Sequence, residues 1–197
     1  MKKMMVDFWA GLGGMSEAFV QSPKWTVLRI DNNPILSEVP RMVIADCMTL
    51  EPYYLGTDLK IEYVHCSFPC TEFSQGYNAP RVKAAREGRD FVPDLRPALK
   101  AKELIDKLKP KYWSVENVKG SIQDLAPIFG EPTVIIGSCV FWGNFPRFEY
   151  DKPLEFKKDF GEQGGRALRP NYRALIPLGI SQSMLSAIDA QKSITDY

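Results

Sequence analysis

The chain has 197 residues, 45% of them hydrophobic and 25% charged, which fits one domain with an ordinary globular core. No apolar run is long enough to span a membrane, and the opening Met1-Lys2-Lys3-Met4-Met5-Val6 holds no signal-peptide core or cleavage site, so a cytoplasmic protein is expected. The formal net charge of +1 gives no global argument for a nucleic-acid partner, and the four cysteines, Cys47, Cys66, Cys70 and Cys139, form neither a disulfide framework nor a zinc pattern, so no metal is expected.

Apolar runs and breakers alternate along the chain. Met4 to Trp9 reads as a strand that ends in a glycine turn, and Met15 to Gln21 as a short helix. Trp25 to Ile30 is a second strand, closed by Asp31-Asn32-Asn33-Pro34; residues 34–40 are expected to be helical with proline in the first turn. Met42 to Ala45 is a third strand closed by Asp46, and Ile61 to His65 a fourth that leads to Pro69-Cys70. Thr71 to Arg96 lacks apolar periodicity and reads as a long functional loop. Pro97 to Leu108 is an amphipathic helix with Leu99, Leu104, Ile105 and Leu108 at helical spacing. Tyr112 to Val115 is a fifth strand leading to Glu116, Ile122 to Phe129 a helix, and Thr133 to Trp142 a sixth strand. Residues 143–176 read as irregular, and Ile180 to Gln191 as a terminal helix capped by Ser181 or Gly179.

Strands separated by helical segments predict an α/β fold: a mostly parallel, Rossmann-like sheet with helices on both faces. Ligands bind such sheets beyond the carboxyl ends of the strands. Asp7, Asp31, Asp46, Pro69-Cys70 and Glu116 all fall at or near those ends, which gathers distant polar residues onto one edge.

Gly11, Gly13 and Gly14, between a strand and a helix, permit close backbone approach to a ligand, although a plain βα turn would look the same. The spacing is neither that of a dinucleotide fingerprint nor that of a P-loop. Asp31 is placed to accept from ribose hydroxyls and Asp46 from an adenine amino group. Either acid can equally cap a turn; both at successive strand ends favour an adenosine-containing cofactor. Cys70 follows a proline that pins the backbone at a strand end, where a thiol can be presented as a nucleophile; a buried structural cysteine is the competing reading. From Arg81 to Lys111 there are ten Lys/Arg against five Asp/Glu. That excess reads either as a solvated face or as a phosphate-contacting segment that supplies positive potential to the thiol. Glu116 ends an apolar strand, where burial raises a carboxylic acid toward neutral pH and suits it to proton donation.

Together these fragments resemble the DNA cytosine-5 methyltransferase family. Asp7-Phe8-Trp9-Ala10-Gly11-Leu12-Gly13-Gly14 is similar to its S-adenosylmethionine loop. Phe68-Pro69-Cys70-Thr71-Glu72-Phe73-Ser74 is similar to its catalytic segment, with Thr71 where glutamine is usual. Asp94-Leu95-Arg96 resembles the end of its mobile loop, and Lys109-Pro110-Lys111-Tyr112-Trp113 with Glu116-Asn117-Val118 its acidic strand. Order and spacing agree from residue 6 to about 120, then thin. Gly143-Asn144-Phe145-Pro146-Arg147 departs from the family's Gln-x-Arg-x-Arg, and Arg173-Ala174-Leu175-Ile176-Pro177 with the terminal helix resembles a shortened last motif.

The resemblance implies a single catalytic domain over 1–197 with a class I methyltransferase fold. Its target-recognition region, at about 143–176, would be reduced or absent, as in compact phage-like forms. It implies Cys70, Glu116 and Asn117 as catalytic residues. S-adenosyl-L-methionine would lie against Phe8, Ala10, Gly11, Leu12, Gly13, Gly14, Asp31, Asn32, Asp46, Cys47 and Pro69. Nucleic acid would meet Ser74, Arg81, Lys83, Arg86, Arg89, Arg96 and Arg147. The implied reaction methylates C5 of a flipped cytosine in DNA through a Cys70–C6 bond. RNA or single-stranded DNA as substrate, target recognition supplied by a partner or a second copy, and an inactive nucleic-acid-binding module are the alternatives.

Overall fold

The structure is a computed structural model that describes residues 2–55, 60–150 and 165–191. Seven strands form one sheet: β1 (Lys3–Phe8), β2 (Trp25–Asp31), β3 (Met42–Ile44), β4 (Ile61–Cys66), β5 (Tyr112–Val118), β6 (Val134–Ile136) and β7 (Cys139–Asn144). Their order is β3-β2-β1-β4-β5-β7-β6. The first five are mutually parallel; β7 alone runs antiparallel to both of its neighbours. The chain builds outward from β1 to β3, then crosses back to place β4 on the other side of β1. The reversal between β1 and β4 opens a crevice at their carboxyl ends.

Parallel strands covered on both faces read as nearly continuous apolar runs, as β1 and β4 do. On one face α3 (Arg96–Leu108) and α4 (Ile122–Phe129) bury Ala98, Ala101, Leu104 and Leu125 against Val6, Phe8, Val64, Val115 and Trp142. On the other, α1 (Glu17–Gln21) and α6 (Leu178–Asp189) set Phe19, Ile180, Met184 and Ile188 against Met5, Trp25, Val27, Tyr63 and Phe141. Two further helices, α2 (Pro80–Arg86) and α5 (Gly165–Arg173), lie nearer the carboxyl edge.

The strand-and-helix order agrees with the sequence reading, with six local differences, the first being that residues 165–173, within the stretch expected to be irregular, form α5. The helix expected at 34–40 is a single 3-10 turn, Pro34–Leu36: the Asn33 side chain caps it, and Pro40 cannot extend a helical ladder. The aperiodic 71–96 segment contains α2, started by Pro80 at its first position. In α3 the apolar face is set by Ala98 and Ala101, while Leu99 points to solvent. The strand expected at 133–142 is a hairpin of β6 and β7, turned at Gly137, whose φ is +57°. The terminal helix starts two residues early, at Leu178 after Pro177, so Ser181 lies inside it; its hydroxyl is buried, donating to Met15 O at 2.5 Å and accepting from Ala18 N at 3.1 Å.

A polar row crosses the α1/α6 face just below the carboxyl edge. Asp7 is in register with Arg29 on β2 and with His65 on β4, and His65 with Ser114 on β5. Arg29 is fully buried, an expensive place for a guanidinium unless its donors are used. They are used: Nε donates to Ser16 Oγ at 2.8 Å, Nη1 to Pro40 O at 3.1 Å, and Nη2 to Gly13 O at 3.0 Å and Glu17 Oε2 at 2.7 Å. Gly13 has φ +78°, and a Cβ there would overlap the guanidinium, so both backbone and packing demand glycine.

Replacing Arg29 by methionine strands these acceptors and is expected to cost about 3–5 kcal/mol. Urea denaturation checks this; a loss below about 1 kcal/mol would contradict the role given to Arg29.

Candidate active site

The glycine loop hangs from the tip of β1. Phe8, named above among cofactor residues, turns its side chain fully into the core, so only its backbone is at the loop. Trp9 follows with φ +52°, an unfavourable conformation for a bulky residue, and leaves its ring half-buried at the crevice. The ring meets Phe68 edge-on at 6.0 Å, so the glycine loop touches the turn that carries Cys70. The loop is fixed from behind: Ala10 N donates to Ile30 O at 3.0 Å, Gly13 N to Ala10 O at 2.7 Å and Gly11 N to Asp31 Oδ2 at 2.9 Å. The other Asp31 oxygen accepts from Asn33 N at 3.0 Å. Each oxygen keeps acceptor capacity on a half-exposed carboxylate. Ala10, Gly11, Leu12 and Gly14 are partly accessible, and Asn32 and Asp46 are exposed. Cys47 is different: its thiol is buried, within 3.8 Å of Ile30 O, and burial pushes it up to about 12. It packs beneath the loop and offers no side-chain surface.

The Cys70 turn leaves the tip of the adjacent strand β4. Ser67 N donates to Phe8 O at 3.2 Å, and Asn117 Nδ2 to Phe68 O at 3.2 Å, which holds the residues before Pro69. Cys70 O accepts from Phe73 N and Ser74 N, both at 3.0 Å. Gly120, after β5, lies directly under Phe73 O, where a Cβ would collide with that carbonyl. Cys70 is thereby presented half-buried, next to an exposed Pro69.

Glu116 reaches the same point from within β5, which continues to Val118. Only 8% of it is exposed, and burial pushes its carboxyl up to about 7, against the lowering effect of Ser67 and Cys139. Ser67 Oγ donates to Glu116 Oε2 at 2.7 Å. Acid and thiol are thus linked through a residue three positions before Cys70. The thiol itself is raised, first by burial and then by the Glu116 charge, with Arg173 opposing. The expectation of positive potential from the 81–96 segment therefore changes: the opposing cation comes from α5.

The cations of that segment are mostly engaged. Arg81 donates to Gly120 O at 3.0 Å and pairs with Asp124 at 2.5 Å. Arg86 stacks over the Tyr77 ring at 3.9 Å, Arg89 pairs with Glu87, and Arg96 with Asp94 at 2.6 Å. Lys83 and Arg147 are exposed, and Ser74 Oγ accepts from Gly76 N at 3.2 Å. Ser67, Trp9, Cys139 and Arg173 were given no site role from sequence. Ser67 was findable as a hydroxyl just ahead of Phe68-Pro69-Cys70, and Trp9 as the loop residue out of phase with buried Val6 and Phe8.

The chain matches no protein-family model and no curated protein. Among solved structures it is similar to the Entamoeba histolytica methyltransferase EhMeth, with a TM-score of 0.52 and 12% identity over 81% of this chain and 58% of that one. It is also similar to an E. coli protein encoded within a prophage and described as a DNA modification methyltransferase (TM-score 0.49, 16% identity, 73% of this chain and 47% of that one). The chain thus spans under two thirds of either neighbour. With the strand order above, the first likeness defines the architecture: a class I methyltransferase fold. No helix among the described residues is long and apolar enough to cross a membrane.

A buried acid raised from 4.5 to about 7 weakens the fold progressively as pH rises through that window, then levels off. Glu116→Gln removes the effect. Its stability relative to wild type should climb between pH 5 and 8 by on the order of 3 kcal/mol, measured by urea denaturation. A pH-independent difference would contradict the buried-acid assignment.

Proposed function

We propose that the chain transfers a methyl group from S-adenosylmethionine to C5 of cytosine in DNA, with Cys70 as covalent nucleophile and Glu116 as proton donor. The observation that carries this is the joint placement of the half-buried Cys70 turn and the buried Glu116 carboxyl, tied by Ser67, across the crevice from the glycine loop. The methyltransferase fold supports the class of reaction, and these two side chains support its target.

The residues at the β1–β2 tips fit the cofactor. Trp9 offers a half-buried ring for a purine, and Asp31 retains acceptors for a ribose diol on a carboxylate that suits a cationic ligand. S-adenosylmethionine, when bound, supplies an electrophilic methyl on its sulfonium. The chain's residues do the rest. Cys70 loses its proton to solvent and Sγ bonds to C6 of the base. Glu116, protonated near neutral pH, donates toward N3 as electron density arrives, so that C5 becomes nucleophilic. After methyl transfer the C5 proton leaves to solvent, the C6–S bond breaks, and Glu116 recovers its proton from N3. Asn117 and Gly120 position the turn and Ser67 the carboxyl. A base stacked in a duplex cannot reach this crevice, so it must be extruded.

The test is nucleoside analysis by mass spectrometry of DNA from cells expressing the chain, with single-stranded DNA and transfer RNA incubated in parallel. Wild type should yield 5-methylcytosine in duplex DNA, and Cys70→Ala should lower it by at least 10³-fold. Equal product from the variant would sink the covalent mechanism, and methylation confined to RNA would sink the substrate.

A further inference from the structure

Charge around the crevice is unevenly committed. Arg81, Arg86, Arg89 and Arg96 are each held by an acid or a ring of the chain itself. Helix α5 differs. Its sequence, Gly165–Arg173, contains no acidic residue. Arg169 and Arg173 are both exposed, and four residues apart they share one helix face. Neither pairs with a carboxylate among the described residues.

The position of α5 makes this useful. The Asn171 side-chain nitrogen lies 3.6 Å from where a Cβ of Gly11 would be, and the Ile176 carbonyl 2.5 Å from the same point on Gly14. Ala174 N donates to Pro170 O at 3.1 Å and Leu175 N to Tyr172 O at 3.3 Å, which closes the helix end against the glycine loop. The last turn of α5 is therefore seated on the loop that follows β1, and the Arg173 charge opposes the burial that raises the Cys70 thiol. Four residues of helix rise about 6 Å, so two arginines at this spacing can each take one phosphate of the same strand.

We infer that α5 is a phosphate clamp for duplex DNA, with Arg169 and Arg173 holding the backbone beside the base that enters over Cys70. The inference rests on the reading that the substrate base lies in DNA, and it deepens that reading by naming the surface the strand would lie on. Phosphate contacts position a duplex without reading its sequence. A clamp of this kind binds unrelated duplexes alike.

Fluorescence anisotropy with two labelled duplexes of unrelated sequence, over about 50–200 mM salt, tests it. Arg169→Ala/Arg173→Ala should lower the slope of log affinity against log salt by about 2, and Arg169→Lys/Arg173→Lys should restore it. Arg86→Ala/Arg89→Ala should keep the wild-type slope. Thermal melting midpoints within a few degrees of wild type show that the variants are folded. An unchanged slope in the alanine pair would overturn the clamp. So would loss of slope in the Arg86/Arg89 pair instead, or α5-dependent binding of transfer RNA in preference to duplex. The two readings fail separately. Duplex binding that depends on α5 without any methylated cytosine leaves the clamp and removes the enzyme; methylation with an α5-independent slope does the reverse.

Discussion

The carboxyl edge of the sheet depends on one buried cation. Arg29 sits on β2 without solvent and joins the glycine loop through Gly13 O, helix α1 through Ser16 and Glu17, and the end of the β2–β3 connection through Pro40 O. A guanidinium is tolerated there because nearly every donor is matched and a carboxylate stands at its open side. Ser16 passes the link on to Asp7, with Oγ 2.5 Å from Oδ2. The loop that would meet a cofactor is thus held by the same group that compensates the buried acid at the tip of β1.

Desolvation then sets the chemistry on either side. Asp7 is pushed up to about 7 by burial, with Ser16 and Arg29 opposing, and His65, its register neighbour, is pushed down to about 3 by burial alone. Asp7 Oδ1 and His65 Nε2 are the buried side-chain polar atoms that lack partners among the described residues. Two strands away Glu116 is raised for the same reason, yet it faces the crevice and is hydrogen-bonded by Ser67. Burial alone therefore does not set Glu116 apart from Asp7. What distinguishes Glu116 is the half-exposed thiol beside it. Because the Glu116 charge raises the Cys70 thiol, a neutral Glu116 favours a thiolate there, and in the proposed mechanism the protonated acid and the nucleophile would support each other.

Much of this was legible in the sequence because strand ends are marked by residue chemistry. Runs such as Met4 to Trp9 and Ile61 to His65 lead into glycine or proline, and in a parallel sheet all such ends share one edge. Cys70, Glu116 and Asp31 could therefore be grouped before any coordinates. The antiparallel β7 could not be read, since Thr133 to Trp142 is apolar on both sides of Gly137 and only the backbone reversal separates two strands. The intrachain partners of Arg81, Arg89 and Arg96 could not be read either, because a charge count does not reveal that Asp124, Glu87 and Asp94 fold back onto them. The importance of Arg29 was hidden for the complementary reason: an arginine in a short strand looks like an edge residue until its partners from α1 and the glycine loop are in place.

The proposed mechanism turns on a bond between Cys70 Sγ and C6 of cytosine. Incubating the chain and S-adenosylmethionine with a duplex carrying 5-fluorocytosine tests it directly, because fluorine at C5 cannot leave as the proton does and the adduct persists. Intact-mass spectrometry should show one protein joined to one DNA strand, and peptide mapping should place the link at Cys70. A link at any other residue, or methylated cytosine formed from normal duplex with no adduct on the fluorinated one, would contradict it.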